Sequence, residues 1–271
     1  MKRLTPFSYQ CNQCGLCCHN QVITLSPYDL IRLARAAGTS IGEAIARYTI
    51  RRGSILKFDK NGSCAALDGT TCTLHSGRPL ACRLYPLGLE RDRRGIERYL
   101  WLEPAVGSRG IYRDHGSVQD FVATQGAELY LRINCRYARL LGIFRQRIAE
   151  LCDFDIIEPR EFWRVAVREA LAETNFDFNP IIETLFHPDS LDHIIESDPD
   201  FVEHHVKEIE QRIRAEHDPN VLAAAALMLA VSLGYSPDEV MIGSASRHRA
   251  SEGAFVKDPL SALGKKAPVS P

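Results

Sequence analysis

This sequence lacks an excess of either charge. Its 33 Lys and Arg stand against 34 Asp and Glu, a formal net charge of −1. Bulk charge therefore gives no reason to expect a nucleic-acid or membrane partner. Long apolar runs are also missing. The longest, Val221 to Leu233, is too short to cross a bilayer and reads as a buried, Ala-rich helix. Met1-Lys2-Arg3 is basic, but no apolar stretch of the signal-peptide kind follows before Cys11, so a cytoplasmic protein is expected. There is no glycine-rich nucleotide loop, no serine-nucleophile elbow and no internal repeat, which removes the commonest signatures of phosphoryl and acyl transfer.

Cysteine is abundant, with nine residues, seven of them in the first 82: Cys11, Cys14, Cys17, Cys18, Cys64, Cys72 and Cys82. A disulfide framework would call for an exporting signal and an even count, and neither is present. Metal binding is the expected use of such a group in a reducing compartment. Isolated buried cysteines behave as small apolar residues, but this density argues against that reading.

The first four form Cys11-x2-Cys14-Gly15-x-Cys17-Cys18. Two-residue spacers let successive thiolates curl around one centre, and Gly15 permits the bend. Thiolates are soft ligands, so an iron–sulfur cluster, zinc or copper(I) is favoured over magnesium or calcium. Cys17 and Cys18 are neighbours whose side chains are expected to diverge, one serving a second centre or acting as a reactive or structural thiol. The later cysteines are single, which weakens a zinc-ribbon reading. Cys11, Cys14 and Cys17 match the first three ligands of a ferredoxin-like loop, with a fourth supplied from a distance, and a 4Fe–4S cluster is preferred. Seven thiolates with His75 or His19 holding two zinc ions is the alternative.

Local signals place these residues. Ser26-Pro27 with Asp29 starts a helix that Gly38 ends, and Ser40 caps a second over Ile41 to Tyr48. Ile55 to Phe58 reads as a strand and Asn61-Gly62 as a turn, while Leu87 to Glu90 and Ile96 to Leu102 form a hairpin. Val118 to Leu151 carries one apolar helical face. Further helices are expected over Glu161 to Ala172, Asp200 to Glu216 and Pro219 to Leu233. The fold class expected is α+β to mainly α. Residues 1–105 would form a small irregular metal-bound domain packed on a helical region, 106–245, with a disordered tail at 246–271.

The full pattern runs from Cys11-x2-Cys14-Gly15-x-Cys17-Cys18 through Cys64 to Cys72-x2-His75-x2-Arg78-Pro79-x2-Cys82-Arg83-x-Tyr85-Pro86. It resembles the YkgJ-type CxxCxxCC cysteine-cluster family over about residues 9–102. The resemblance implies a zinc- or iron-chelating protein. The family includes flagellin lysine-N-methylases, a lead toward protein or peptide modification. However, no glycine-rich S-adenosylmethionine loop follows a strand here, so methyl transfer remains an analogy. A metal-dependent modifying enzyme is thus one expectation. A non-catalytic metal-stabilised interaction protein and a metal-handling protein are the others.

Arg78 and Arg83 flank Cys82 and are read as offsetting the charge of a thiolate-bound cluster. Tyr85-Pro86 is read as shaping the exit from the site. Cys135, with Arg132, Arg136 and Arg139 on one flank of a helix, reads as part of a solvated basic face, or more sharply as a thiol approaching the cluster. Cys152 reads as core. His204 and His205, adjacent on a charged helix, read as solvated, and His115 as a loop residue without a partner.

Overall fold

A computed structural model of the chain describes residues 1–92, 94–151, 184–192 and 199–235. The expected helix Glu161 to Ala172, Cys152 and the tail at 246–271 lie outside them.

The first two helices follow from their caps. In α1 (Pro27–Ala37), Ser26 Oγ accepts from the Asp29 amide while Asp29 accepts from the Ser26 amide, and Gly38 closes the helix at φ 64°. In α2 (Ile41–Tyr48) Ser40 and Glu43 make the same reciprocal pair. Each pair satisfies two amides that a bare helix start leaves unpaired.

Among the described residues the strands are short and pair in twos. β1 (Pro6–Gln10) pairs antiparallel with β8 (Ile111–Ser117), β2 (Thr49–Ile50) with β3 (Ile55–Leu56), β4 (Leu67–Asp68) with β5 (Thr71–Cys72), and β6 (Leu87–Arg91) with β7 (Glu97–Trp101). The expected hairpin is the last of these. β8 corrects one expectation, because His115 lies in this strand and not in a loop.

A second correction concerns Val118 to Leu151. This is two helices, α4 (Val118–Thr124) and α5 (Glu128–Leu151). Gly126 stands between them at φ +62°, a left-handed conformation that glycine adopts at little cost and that ends a helix. Between α2 and α4 lies the short α3 (Leu80–Leu84). The chain continues through α6 (Pro188–Asp192), α7 (Pro199–Ala215) and α8 (Pro219–Ser232). Helix α5 packs against α7 and α8, and α1 packs against α2 and α5.

The fold is therefore mixed α+β. One apolar cluster runs from Phe7 and Leu25 through Leu84, Tyr99 and Phe144 to Leu233. Fully buried Arg91 crosses it: its backbone amide donates to the Gly234 carbonyl at 2.7 Å and Nη1 to the Leu233 carbonyl at 3.0 Å, which fixes the end of α8 on β6. Among the described residues, no helix is long and apolar enough to cross a membrane.

Candidate metal centre

Five short segments carry the early cysteines to one place. β1 ends at Gln10 and delivers Cys11. Gly15, at φ +75°, turns the chain into a single 3-10 turn, Leu16–Cys18, and a Cβ on Gly15 would stand 3.0 Å from the Thr70 carbonyl oxygen. The Cys64 amide donates to the Cys18 carbonyl at 2.9 Å, stitching the Cys64 segment to the Leu16–Cys18 turn. The β4–β5 hairpin presents Cys72, and α3 carries Cys82.

All seven cysteines line one cavity of about 520 Å³. Cys11 is exposed, Cys64 is buried, and Cys14, Cys17, Cys18, Cys72 and Cys82 lie between. The eight described cysteines are all free thiols. The expected divergence of Cys17 and Cys18 is not found: the tight turn brings their sulfurs to 4.0 Å. Among the described residues, no three His, Cys, Asp or Glu side chains stand close enough together to hold one ion as they are placed.

The thiols feel each other. The Cys17–Cys18 contact lowers Cys17 to about 7, helped by the Arg78 charge, and raises Cys18. Burial pushes Cys82, Cys64 and Cys72 up, and the neighbouring sulfurs add to it. Cys14 is held down by backbone amides of Arg109 and Leu16. Burial penalises thiolates unless something pairs with them.

The two flanking arginines have different surroundings. Arg83 is buried; its Nε donates to the Arg78 carbonyl at 3.0 Å, Nη1 to the Gln125 carbonyl at 2.8 Å and Nη2 to the Ser76 carbonyl at 2.5 Å. Its guanidinium carbon lies 4.7 Å from the centre of the Tyr130 ring. It holds the loop before α3 against the Gln125 turn and does not line the cavity. Gly77 in that loop runs so close to α1 that a Cβ there would meet the Arg32 carbonyl oxygen at 2.1 Å.

Arg78 does line the cavity. Its Nη2 donates to Gln125 Oε1 at 2.6 Å and its Nη1 to the His75 carbonyl at 3.0 Å, against the His75 ring. No carboxylate among the described residues pairs with it. Burial and Arg83 lower its affinity for the proton, while Cys82, Cys11 and Cys72 raise it. His75 lines the cavity too, and burial and the Arg78 charge hold its ring below the usual range. His19 instead meets Ser63 Oγ at 3.3 Å through Nδ1 and does not line the cavity. Asp29 faces the cavity, but its carboxylate is engaged by the Ser26 hydroxyl and amide and by the Leu80 amide. Seven sulfurs beside a cation line the cavity, a set that fits a soft metal held by thiolates.

Tyr85 and Tyr9 also line the cavity, their ring centres 6.2 Å apart. Sequence reasoning missed Tyr9, Gln125 and the wall made by Val231 to Tyr235, because each comes from a segment remote from the cysteines. Cys135 is exposed and does not line the cavity. Beside it, Arg139 bonds both oxygens of Glu203 at 2.9 Å. His205 is not solvated: it is buried, its Nδ1 2.7 Å from the Tyr137 hydroxyl.

Residues 10–104 match the model of the CxxCxxCC family, described as a "putative zinc- or iron-chelating domain". The family resemblance holds over that span, and its description supports a metal cofactor. The uncharacterized protein MJ0661 of Methanocaldococcus jannaschii is 31% identical over 123 residues, which make up 43% of this chain and 65% of that protein. The match thus spans a little under two thirds of the relative's length. No solved structure matches.

Proposed function

We propose that the cysteine cavity holds a thiolate-bound metal centre, an iron–sulfur cluster of the 4Fe–4S type, with ligands drawn from Cys11, Cys14, Cys17, Cys18, Cys64, Cys72 and Cys82. One observation carries the reading: seven thiols line a single cavity together with Arg78, a cation that no described carboxylate balances. Four thiolates around a divalent ion or a cluster leave net negative charge, which Arg78 would offset. The polynuclear centre is preferred because seven thiols line one wide cavity, more sulfurs than a single tetrahedral ion takes. A cluster's irons, and so their thiolates, stand further apart than the ligands of a single ion.

The second reading is zinc. It is favoured by the 4.0 Å approach of the Cys17 and Cys18 sulfurs, close to the edge of a zinc–thiolate tetrahedron. In either case the metal supplies a charged, thiophilic cross-link to a region of two-residue strands and single-turn helices. A cluster would add one-electron chemistry. Action on a protein or peptide is the activity to which the family resemblance leads, in the cytoplasm, with no nucleic-acid or membrane partner. A purely structural centre would be closed by four protein ligands, and a catalytic one would keep a labile position.

The test is the visible spectrum with iron, acid-labile sulfide and zinc analysis of anaerobically purified protein. Brown protein containing iron and sulfide supports the cluster. Colourless protein with one or two zinc ions supports the second reading.

A further inference from the structure

The cation at the cysteine cavity is held from outside the stretch that carries the cysteines. Arg78 Nη1 meets the His75 carbonyl, three residues back, at 3.0 Å, a contact within its own loop. Nη2 instead donates at 2.6 Å to Gln125 Oε1, 47 residues further along the chain. A guanidinium carries donors only, so the oxygen of the Gln125 amide is the atom that faces it. Gln125 is half-buried and lines the cavity together with Arg78.

The position of Gln125 is set by its own surroundings. It closes α4, its amide donating to the Phe121 carbonyl at 3.0 Å, and the bend at Gly126 follows. Phe121, Val122 and Ala127 are buried on either side. The Gln125 carbonyl accepts from Arg83 Nη1 at 2.8 Å. One residue thus grips both arginines that flank Cys82, Arg83 through its backbone and Arg78 through its side chain. Changing the side chain keeps the first grip and removes the second.

The chemistry of that side chain matters. An amide oxygen orients a guanidinium and brings no charge of its own. A carboxylate in its place would hold Arg78 at least as firmly and would cancel its charge. No carboxylate among the described residues pairs with Arg78, and the charges of Cys82, Cys11 and Cys72 are felt at it.

We propose that Gln125 is a positioning residue for the cysteine site: its neutral amide holds Arg78 at the cavity wall and leaves the whole positive charge to the thiolates. The inference rests on the metal reading and adds to it the residue that tunes how firmly the centre is kept.

The experiment compares Gln125→Met, Gln125→Glu, Arg78→Gln and the double variant Gln125→Met with Arg78→Gln, each as the full chain purified with its metal. Loss of metal to excess EDTA is the readout. Gln125→Met has about the size of glutamine and no oxygen to accept with. It is expected to speed the loss about three-fold, part of the worth of a charge-assisted hydrogen bond, and to add nothing once Arg78 is already glutamine. Gln125→Glu restores the hold on Arg78, so the metal-free protein melts no lower than wild type. It still loses metal at least as fast as Gln125→Met, because the cation is cancelled. Unchanged metal loss in Gln125→Met overturns the inference. So does an undiminished effect of that change in the Arg78→Gln background, and so does wild-type retention of metal by Gln125→Glu, the result that a merely structural role predicts. Wild-type protein that never carries metal overturns the metal reading instead. The rate at which its cavity thiols react with iodoacetamide, which needs thiolate, then decides: Gln125→Met slows it only while Arg78 is present if the inference holds, and leaves it unchanged if the inference fails.

Discussion

The amide of Leu80 donates to Asp29 Oδ1 at 2.7 Å, and this single buried bond ties the helix carrying Cys82 to the start of α1. The other Asp29 oxygen caps α1 through Ser26, at 2.8 Å to the amide and 2.7 Å to the hydroxyl. One carboxylate thus sets both a helix start and the depth at which Cys82 enters the cavity.

Asp29→Ala should therefore be costly. It leaves the Leu80 and Ser26 amides unpaired in the interior, a loss of about 2–4 kcal/mol. Asp29→Asn keeps one acceptor and should lose less. Urea unfolding of the two variants checks the order. An alanine variant as stable as wild type would show that the bond matters little.

Arg78 and Arg83 should separate cleanly. Arg83→Ala removes donors to three carbonyls and a stacked guanidinium, so it should destabilise by about 3 kcal/mol. Arg83→Lys should recover little of this, because an ammonium cannot reach all three acceptors. Arg78→Gln gives up the bonds to Gln125 and the His75 carbonyl and should cost metal-free protein less than Arg83→Ala does, but it should speed loss of metal to a chelator. Thermal melts and chelator-exchange rates measure the two effects.

His205 gives the fold an acid limit. Burial lowers its ring to about 4, against 6.5 for a free histidine, with Glu208 and the Thr184 carbonyl opposing and His204 adding to the shift. Its Nε2 faces the Thr184 carbonyl at 3.4 Å, so the neutral ring carries its proton there and accepts the Tyr137 hydroxyl at Nδ1. The unfolded chain takes up a proton below pH 6.5 that the folded chain refuses until about pH 4. Stability is therefore full above pH 6.5 and falls across that window, by about 3 kcal/mol at its acid end. His205→Gln does not titrate, so its unfolding free energy should fall less steeply between pH 6.5 and 4.

Cys135→Ser should leave metal content unchanged, because the thiol is exposed and off the cavity wall. Metal analysis of the variant decides this. Loss of metal would mean that Cys135 reaches the centre.

What was legible in the sequence was local. Ser26, Pro27 and Asp29, then Ser40 and Gly38, announce helix ends through bonds made within four residues, and the structure places α1 and α2 there. The β6–β7 hairpin followed from its own turn. β8 was hidden because Arg, Asp, His and Gly interrupt it and its partner β1 lies about a hundred residues earlier in the chain. The break at Gly126 was hidden because the apolar spacing passes through it. The Tyr137–His205 pair spans 68 residues, so the neighbouring charges misrepresented His205 as solvated. The cysteine spacing marked the candidate site. It could not reveal that Val231 to Tyr235 would close the cavity from the far end of the chain.

The most direct test of the metal centre is native mass spectrometry of anaerobically purified protein before and after treatment with a strong chelator. The account predicts a mass above that of the bare chain by one cluster or one or two zinc ions, and a lower unfolding temperature once that mass is stripped. Protein that flies at the bare-chain mass and melts identically with and without chelator would contradict it.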